Sequence, residues 1–373
     1  MRIVWVTNLP IGSLAEKLGV TASSGSWIYA ALKEITIPSN EVFVITTCKI
    51  KDKIAIKENN VTFIGLPTGD PSAFSVCKRT EGIWRNELAD LKPDVLQVWG
   101  TEYRHAIVAL KTCPNLCKKY IYVQGIMDSI YKNYYGGISR ISLLKCTSII
   151  ELLTNKTLFC ARKKALENAK IEKESISLSD GVILETEWSS NYCNIINPSK
   201  KIYKHKLPLN QAFCLANWSV GTVERHSIFT SASDYPLKGL QYLIEALYYI
   251  KRRYPDVILY VPGAIIKREF TIKEYIRQRA YRKYLRSIIE RYDLWDNVRF
   301  VGILSSQEMA NYMSKANVFV CSSVIENHSS TLREAMLVGT PCISGAVGGI
   351  PEYLINNQNG LLVDPEDDIA LAG

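Results

Sequence analysis

Short runs of apolar, mostly β-branched residues alternate with helix-period segments along almost the whole of this 373-residue chain. Ile3–Thr7, Val42–Thr46, Val61–Ile64, Val95–Trp99, Ile121–Val123 and Val182–Leu184 form a first series. After about residue 218 the series restarts with Ser227–Ser231, Val257–Val261, Val298–Val301, Val318–Cys321, Cys342–Ser344 and Leu361–Val363. Runs so nearly continuous in hydrophobicity belong to parallel strands covered by helices on both faces, because neither side of such a strand meets water. The alternation predicts a doubly wound α/β sheet. The restart predicts two: one Rossmann-like domain over 1–215 and a second over 216–373, with the aperiodic stretch Asn210–Thr222 as linker. Ligands of open α/β sheets sit outside the carboxyl ends of the strands. Two such domains facing a cleft would carry their chemistry on the loops that follow the strands.

Two stretches depart from the alternation. Residues 139–178 are helical, basic and partly apolar, which fits either an amphipathic cover for the first sheet or an insertion resting on a membrane surface. The terminal DPEDDIALAG reads as the first turn of a helix, with carboxylates where the helix dipole favours negative charge.

Composition narrows the partners. Lys plus Arg number 45 against 36 Asp plus Glu, a net charge of +9, which favours nucleotides, diphosphate-bearing substrates or an anionic membrane. Residues 267–291 alone hold nine basic residues and three acids, the pattern of a solvated helix face. The surplus charge is not interleaved with stacking aromatics in the manner of any recognised nucleic-acid module, so no nucleic-acid partner is expected. The ten cysteines form no C-x-x-C pair and read as buried thiols of a reducing compartment. The apolar run at the start is too short for a signal-peptide core, and no window reaches 18 uninterrupted apolar residues. The expected location is cytoplasmic, with peripheral contact at the inner face of the membrane as an extension. Neither a G-x-x-x-x-G-K-[ST] loop nor a G-x-G-x-x-G turn nor H-E-x-x-H nor G-x-S-x-G occurs, and no D-x-D stands at a strand end. No metal and no resident cofactor are therefore expected.

Residues 318–352, VFVCSSVIENHSSTLREAMLVGTPCISGAVGGIPE, are the most informative. A buried strand ends at Ser322–Ser323, a loop carries Glu326, and a helix follows Asn327–Ser330 and stops at Gly339 before Pro341. The start of such a helix presents unpaired N–H groups and partial positive charge, a ready anion site. Glu326 and Glu334 flank it; ionised carboxylates only accept hydrogen bonds and so suit sugar hydroxyls rather than phosphate. Thr331-x-x-Glu334 also reads as a capping box, in which Glu334 merely closes the helix end. Lys238, in a loop between the first strand of the second series and an amphipathic helix, is placed to neutralise a diphosphate on the same rim.

In this order and spacing the elements resemble retaining GT-B glycosyltransferases of family 4, of the bacterial capsule and exopolysaccharide type. The resemblance rests on Glu326 and Glu334, Arg333–Met336, Gly339-Thr340-Pro341, Gly348-Gly349-Ile350-Pro351-Glu352, Lys238-Gly239-Leu240 and Phe300-Val301-Gly302. In the first half it rests on Asn8, Gly25-Ser26-Trp27 and Trp99-Gly100-Thr101-Glu102. It implies metal-independent, retaining transfer of a sugar from a nucleotide-diphosphate sugar, a UDP-sugar by default, in surface polysaccharide synthesis. The implied acceptor is a glycan or a lipid-diphosphate-linked saccharide. Lys238 and Glu326 would be catalytic, the lysine on the diphosphate and Glu326 on the donor sugar. Glu334 would hold the ribose, Ile303 would lie against the base, and Asn327, His328, Ser329, Ser330 and Thr331 would cradle sugar and diphosphate. Gly25, Ser26, Trp27, Trp99, Glu102 and Gln124 would serve the acceptor, with Tyr134 and Tyr135 as further stacking candidates.

Three departures from the family pattern stand out. The loop Ser231-Ala232-Ser233-Asp234 lacks the usual diphosphate-binding arginine, for which Arg268 is a candidate substitute. Gln124 stands where many members carry a histidine, and the C-terminal helix by which members cross back to the first domain is expected to be missing here. Two other readings remain open on these residues: a nucleotide-sugar epimerase on the same scaffold, and a non-catalytic nucleotide-sugar-binding partner subunit.

Overall fold

The apolar runs pair as parallel strands in two separate sheets. A computed structural model describes residues 1–20, 26–70, 75–232 and 235–373; the side chains of Ser26, Trp27, Ala30 and Lys273 lie outside the description. Among the described residues the first sheet contains β1 (Arg2–Thr7), β2 (Glu41–Thr47), β3 (Ile54–Glu58), β4 (Val61–Leu66), β5 (Val95–Trp99), β6 (Lys118–Tyr122), β7 (Gly181–Leu184) and β8 (Lys201–Lys204). Their spatial order is β3-β4-β2-β1-β5-β6-β7-β8, parallel except for the β3–β4 hairpin. The second sheet contains β9 (Glu224–Thr230), β10 (Ile258–Pro262), β11 (Val298–Gly302), β12 (Ala316–Cys321), β13 (Cys342–Gly345) and β14 (Leu361–Val363), all parallel in the order β11-β10-β9-β12-β13-β14.

Both faces of each sheet are covered, as continuous hydrophobicity requires. In β1, Val4 and Val6 enter one core cluster while Ile3 and Trp5 enter another on the opposite face. In β12, Val320 packs with Leu240, Ile244 and Ile288, whereas Phe319 and Cys321 pack with Met313, Leu332 and Ala335. All twelve strands read from the sequence are present. The two that escaped, β3 and β8, are edge strands whose lysines and glutamate interrupt the apolar runs. For β3 the signal was the Asn59-Asn60 turn, Asn59 being at φ +53°.

The domain boundaries differ from the sequence expectation. One compact unit comprises residues 1–128 and 165–208, the other 129–164 and 209–373. The helical segment expected wholly within the first domain is therefore divided. Ile138 and Leu143 belong to the second unit's core, and Gln241 Nε2 donates to the Gly136 carbonyl at 2.7 Å. The stretch read as a linker folds in part as a helix, Gln211–Leu215, started by the Asn210 side chain and anchored by buried Phe213 in the second unit. At the C-terminus a short helix, Asp368–Ala372, is capped by Asp367 and docks Leu371 onto the helix Leu240–Arg253.

The strand order fixes where each unit can hold a ligand. In the second sheet the chain runs from β9 outward to β10 on one side and from β12 outward to β13 on the other. The β9–β12 junction is thus a switch point, and the loops after both strands meet there. The loop after β9 closes with a 3₁₀ turn, Pro236–Lys238, and Gly239 at φ +66°. A methyl group on Gly239 would fall on the Ser322 carbonyl oxygen at the end of β12.

Replacing Gly239 by alanine should cost about 2–4 kcal/mol, from left-handed strain plus a backbone clash. Gly302 shares a positive φ, +78°, but has open space around it. Gly302→Ala should therefore lower the urea midpoint distinctly less than Gly239→Ala; equal losses would contradict the packing account.

Candidate functional site

Backbone docking brings Lys238 to Glu326. Ser322 Oγ donates to the Lys238 carbonyl at 3.0 Å and Val324 N donates to the Leu237 carbonyl at 2.9 Å, so the loop after β9 is tied to the loop after β12. The Lys238 ammonium then meets the Glu326 carboxylate at 2.5 Å, and Ser323 Oγ donates to the same carboxylate oxygen at 2.8 Å. Burial works against the lysine's charge, but the Glu326 carboxylate outweighs it and holds the Lys238 pKa above the usual lysine value. On the other side, Gly348 at φ +53° lies so close that a Cβ would overlap the Glu326 carbonyl, and the Gly349 amide donates to that carbonyl at 3.2 Å. The Lys-Gly and Gly-Gly elements of the sequence are thus the two walls that position Glu326.

The helix after the loop, Ser330–Val338, starts differently from the capping-box reading. Its N-cap is Ser329, whose hydroxyl accepts from the Leu332 amide, while Thr331 donates its hydroxyl to Ser231 Oγ at 3.0 Å in the loop after β9. Glu334 therefore closes no box. Burial pushes its pKa up to about 7, against the lowering effect of neighbouring Arg333. The Ser329 amide, expected to face a diphosphate, is taken by the Tyr353 hydroxyl at 3.2 Å. The amides of Ser330 and Thr331 are those of the first turn, which a helix leaves without internal partners.

His328 packs edge-on against Tyr353, ring centroids 4.9 Å apart, and its Nδ1 lies 3.2 Å from Arg333 Nη1. A guanidinium can only donate, so the His328 ring nitrogen is the acceptor in this contact. Asn327 is buried beside them. Ile303, expected against a base, is 88% exposed just beyond Gly302. Arg268 faces Asp296 at 3.6 Å, and Arg333 is the arginine that stands at the helix start. Ser233 and Asp234 lie outside the described residues. Tyr353 went unnoticed in the sequence because only its position after the Pro351-Glu352 turn marks it.

In the first unit the junction of β1 and β5 is the equivalent switch point. Asn8, after β1, donates its side-chain amide to Glu102, after β5, and Asn168 Nδ2 donates to the Glu102 carbonyl at 2.7 Å. Burial pushes the Glu102 carboxyl up to about 7, assisted by the charge of Glu172. Glu172, fully buried, accepts from Thr101, the Met127 amide and Tyr192 at 2.6, 3.1 and 2.8 Å. This hub was legible, since Glu172 lies on the Ala165–Ala169–Ile176 stripe where a solvated acid has no place. Gln124 follows β6, half-buried. Trp99 is 2% exposed, stacked on Tyr122 at 4.6 Å and edge-on to Trp5 at 4.7 Å, so it packs chiefly within the sheet's own core. Tyr134 and Tyr135 likewise pack edge-on within the second unit, against Tyr235 and Phe159. Gly25 lies outside the described residues, as do the side chains of Ser26 and Trp27. Among the described residues no group of three or more His, Cys, Asp and Glu is arranged to hold a metal ion.

Residues 221–373 match the family described as glycosyl transferases group 1. The chain is 37% identical over 98 residues to the putative colanic acid biosynthesis glycosyltransferase WcaL of Escherichia coli K12, covering 25% of this chain and 24% of that protein. Against the amylovoran biosynthesis glycosyltransferase AmsK of Erwinia amylovora it is 35% identical over 94 residues, 24% of this chain and 23% of the relative. The matched stretch is thus about a quarter of the length of these curated relatives. Over its full length the chain superposes on sucrose-phosphate synthase of Thermosynechococcus elongatus with a TM-score of 0.68 at 18% identity, covering 88% of that structure. Anabaena HepE in complex with UDP and glucose gives a TM-score of 0.60 at 14% identity, with all of this chain and 88% of that one covered. The fold is GT-B, two parallel-sheet α/β units.

Glu334 sets a pH dependence. Its folded pKa of about 7 lies above the ordinary 4.5, so its favourable contribution is full below pH 4.5 and is lost as pH rises through about 7. Glu334→Gln should therefore gain stability relative to the wild type across that window, measured by thermal unfolding. A closing role at the helix end, which glutamine can also fill, would instead leave the variant no more stable than the wild type at any pH.

Proposed function

We propose, for a chain whose second unit matches glycosyl transferases group 1 and whose fold is GT-B, the metal-independent and retaining transfer of a sugar from a nucleotide-diphosphate sugar to a saccharide hydroxyl. The Lys238–Glu326 pair at the β9–β12 switch point carries this reading. A diphosphate entering there competes for the ammonium; the carboxylate it displaces becomes free to accept hydroxyls of the donor sugar. The Ser330 and Thr331 amides add the partial positive charge of the helix start to the same phosphates. Glu334, half-buried on that helix and titrating near neutrality, suits ribose hydroxyls, which both donate and accept.

In the proposed step the bond between the anomeric carbon and the diphosphate oxygen breaks as the acceptor oxygen bonds to the same face. The leaving oxygen takes up the negative charge and then the acceptor's proton. Lys238 and the helix amides offset that charge. Among the described residues no side chain beside the site recommends itself as a covalent nucleophile, since Glu326, once displaced from Lys238, is given to hydroxyls of the donor sugar. A UDP-sugar is the favoured donor, in keeping with the fold shared with HepE, whose structure holds UDP and glucose. A glycan or lipid-linked saccharide is the favoured acceptor, in keeping with relatives named for colanic acid and amylovoran synthesis. Glu102 and Gln124, at the carboxyl end of the first sheet, are the residues proposed for it.

Removing a preorganised donor of this kind costs about 3–4 kcal/mol of transition-state stabilisation. Lys238→Ala should therefore lower turnover by roughly a hundredfold or more, read as UDP or GDP release from whichever of UDP-glucose, UDP-galactose or GDP-mannose most raises the unfolding temperature. Unchanged turnover in a folded variant rejects the role of the lysine. Inversion at the anomeric proton, followed by NMR, rejects retention.

A further inference from the structure

The helical segment that interrupts the strand series forms a surface the donor site does not use. Within the second unit the helix Arg140–Cys146 packs on Ala280–Arg291, and Ile149–Leu153 packs beside Ile272–Arg277. Glu151 joins them. Its carboxylate accepts from the Ser148 amide at 3.0 Å, capping its own helix, and from the Ala280 amide at 3.1 Å, capping the next.

With that acid turned inward and buried, the rest of its helix faces out: Ile149, Leu152 and Leu153 are 71%, 57% and 79% exposed. The adjoining helices continue the aliphatic surface with exposed Ile141 and Leu144 on one and Ile272 and Ile276 on the other. So dense an apolar patch marks a docking site. Its surround is cationic. Residues 129–164 carry seven basic residues against one acid, the buried Glu151. Lys145, Lys156, Arg277 and Arg279 are exposed at or beside these helices, and exposed Glu274 on the neighbouring helix is already engaged by Thr271 and by Lys267 at 2.9 Å. Among the described residues no helix is long and apolar enough to cross a membrane.

We propose that this face rests on an anionic lipid bilayer, its aliphatic side chains at the acyl boundary and its lysines and arginines on lipid phosphates. A second copy of the chain fits less well, because it would bring two cationic rims together. Placing the contact on the donor-side unit is independent of the sugar chemistry, and activity is not its readout.

Sedimentation of the full chain with phosphatidylglycerol–phosphatidylcholine vesicles tests it, with phosphatidylcholine-only vesicles and high salt as comparison arms. Binding should need the anionic lipid and fall with salt. Leu152→Glu with Leu153→Glu should weaken it at least about tenfold, given the apolar burial lost. Lys145→Gln with Lys156→Gln should weaken it roughly thirtyfold, at about 1 kcal/mol for each basic residue near an anionic surface. Leu116→Glu, at a 97% exposed leucine in the first unit, should leave it unchanged. The lysine pair changes only solvated side chains, so it keeps the test decisive if the leucine pair unfolds. The proposal falls if the wild type ignores anionic vesicles, if both double variants bind as it does, or if light scattering shows a dimer that the leucine pair abolishes.

Discussion

The ion pair between Lys238 and Glu326 organises the second unit's loops, and its position follows from strand order rather than from either residue. Adjacent strands β9 and β12 deliver two loops to one point, and two backbone-directed hydrogen bonds clamp them before the side chains meet. A half-buried ion pair adds little stability of its own, because desolvation offsets the attraction. What it does is hold one cation and one carboxylate in register while no ligand is bound. In the proposed function a diphosphate sugar would supply a replacement partner to each: phosphate oxygens for the ammonium, hydroxyls for the carboxylate. That exchange would return an anionic partner to the ammonium and hydrogen-bond donors to the carboxylate.

The sequence was most legible where chemistry and backbone constraint coincide. Gly239 and Gly348 are glycines because a Cβ on either would strike the carbonyl of Ser322 or of Glu326, and the motifs that contain them are therefore visible as letters. Continuous apolar runs revealed the strands that are buried on both faces. Edge strands β3 and β8 escaped because charged residues, Lys57 and Glu58 in one and Lys201 and Lys204 in the other, cut short their apolar runs. The division of the helical segment between units escaped for another reason. Its assignment depends on contacts such as Gln241 with Gly136, more than a hundred residues apart, which no local period encodes.

Side-chain roles were less legible than positions. Thr331 and Glu334 have the spacing of a capping box, yet Ser329 starts the helix and Thr331 turns to Ser231. Spacing alone cannot decide between two candidate caps two residues apart. Trp99 shows the converse: an aromatic at a strand end looks like a sugar platform, yet it packs chiefly against Tyr122 and Trp5. Glu172 was within reach of the sequence, because an acid on a buried helix stripe must be hydrogen-bonded, and Thr101, Met127 and Tyr192 supply those bonds.

The acids of this protein sort by environment into different chemical types. Glu326, paired with an ammonium, is an acceptor. Glu334 and Glu102 are held by burial near neutrality, so each is present in part as a carboxylic acid that donates as well as accepts. Hydroxyls also donate and accept. A carboxyl poised between its two forms can match whichever role a given hydroxyl leaves open, at a lower desolvation cost than a fixed anion would incur. That property falls at the carboxyl ends of both sheets, beside both switch points, and it follows from placing glutamates where the exclusion of water outweighs any neighbouring cation, as it outweighs Arg333 beside Glu334.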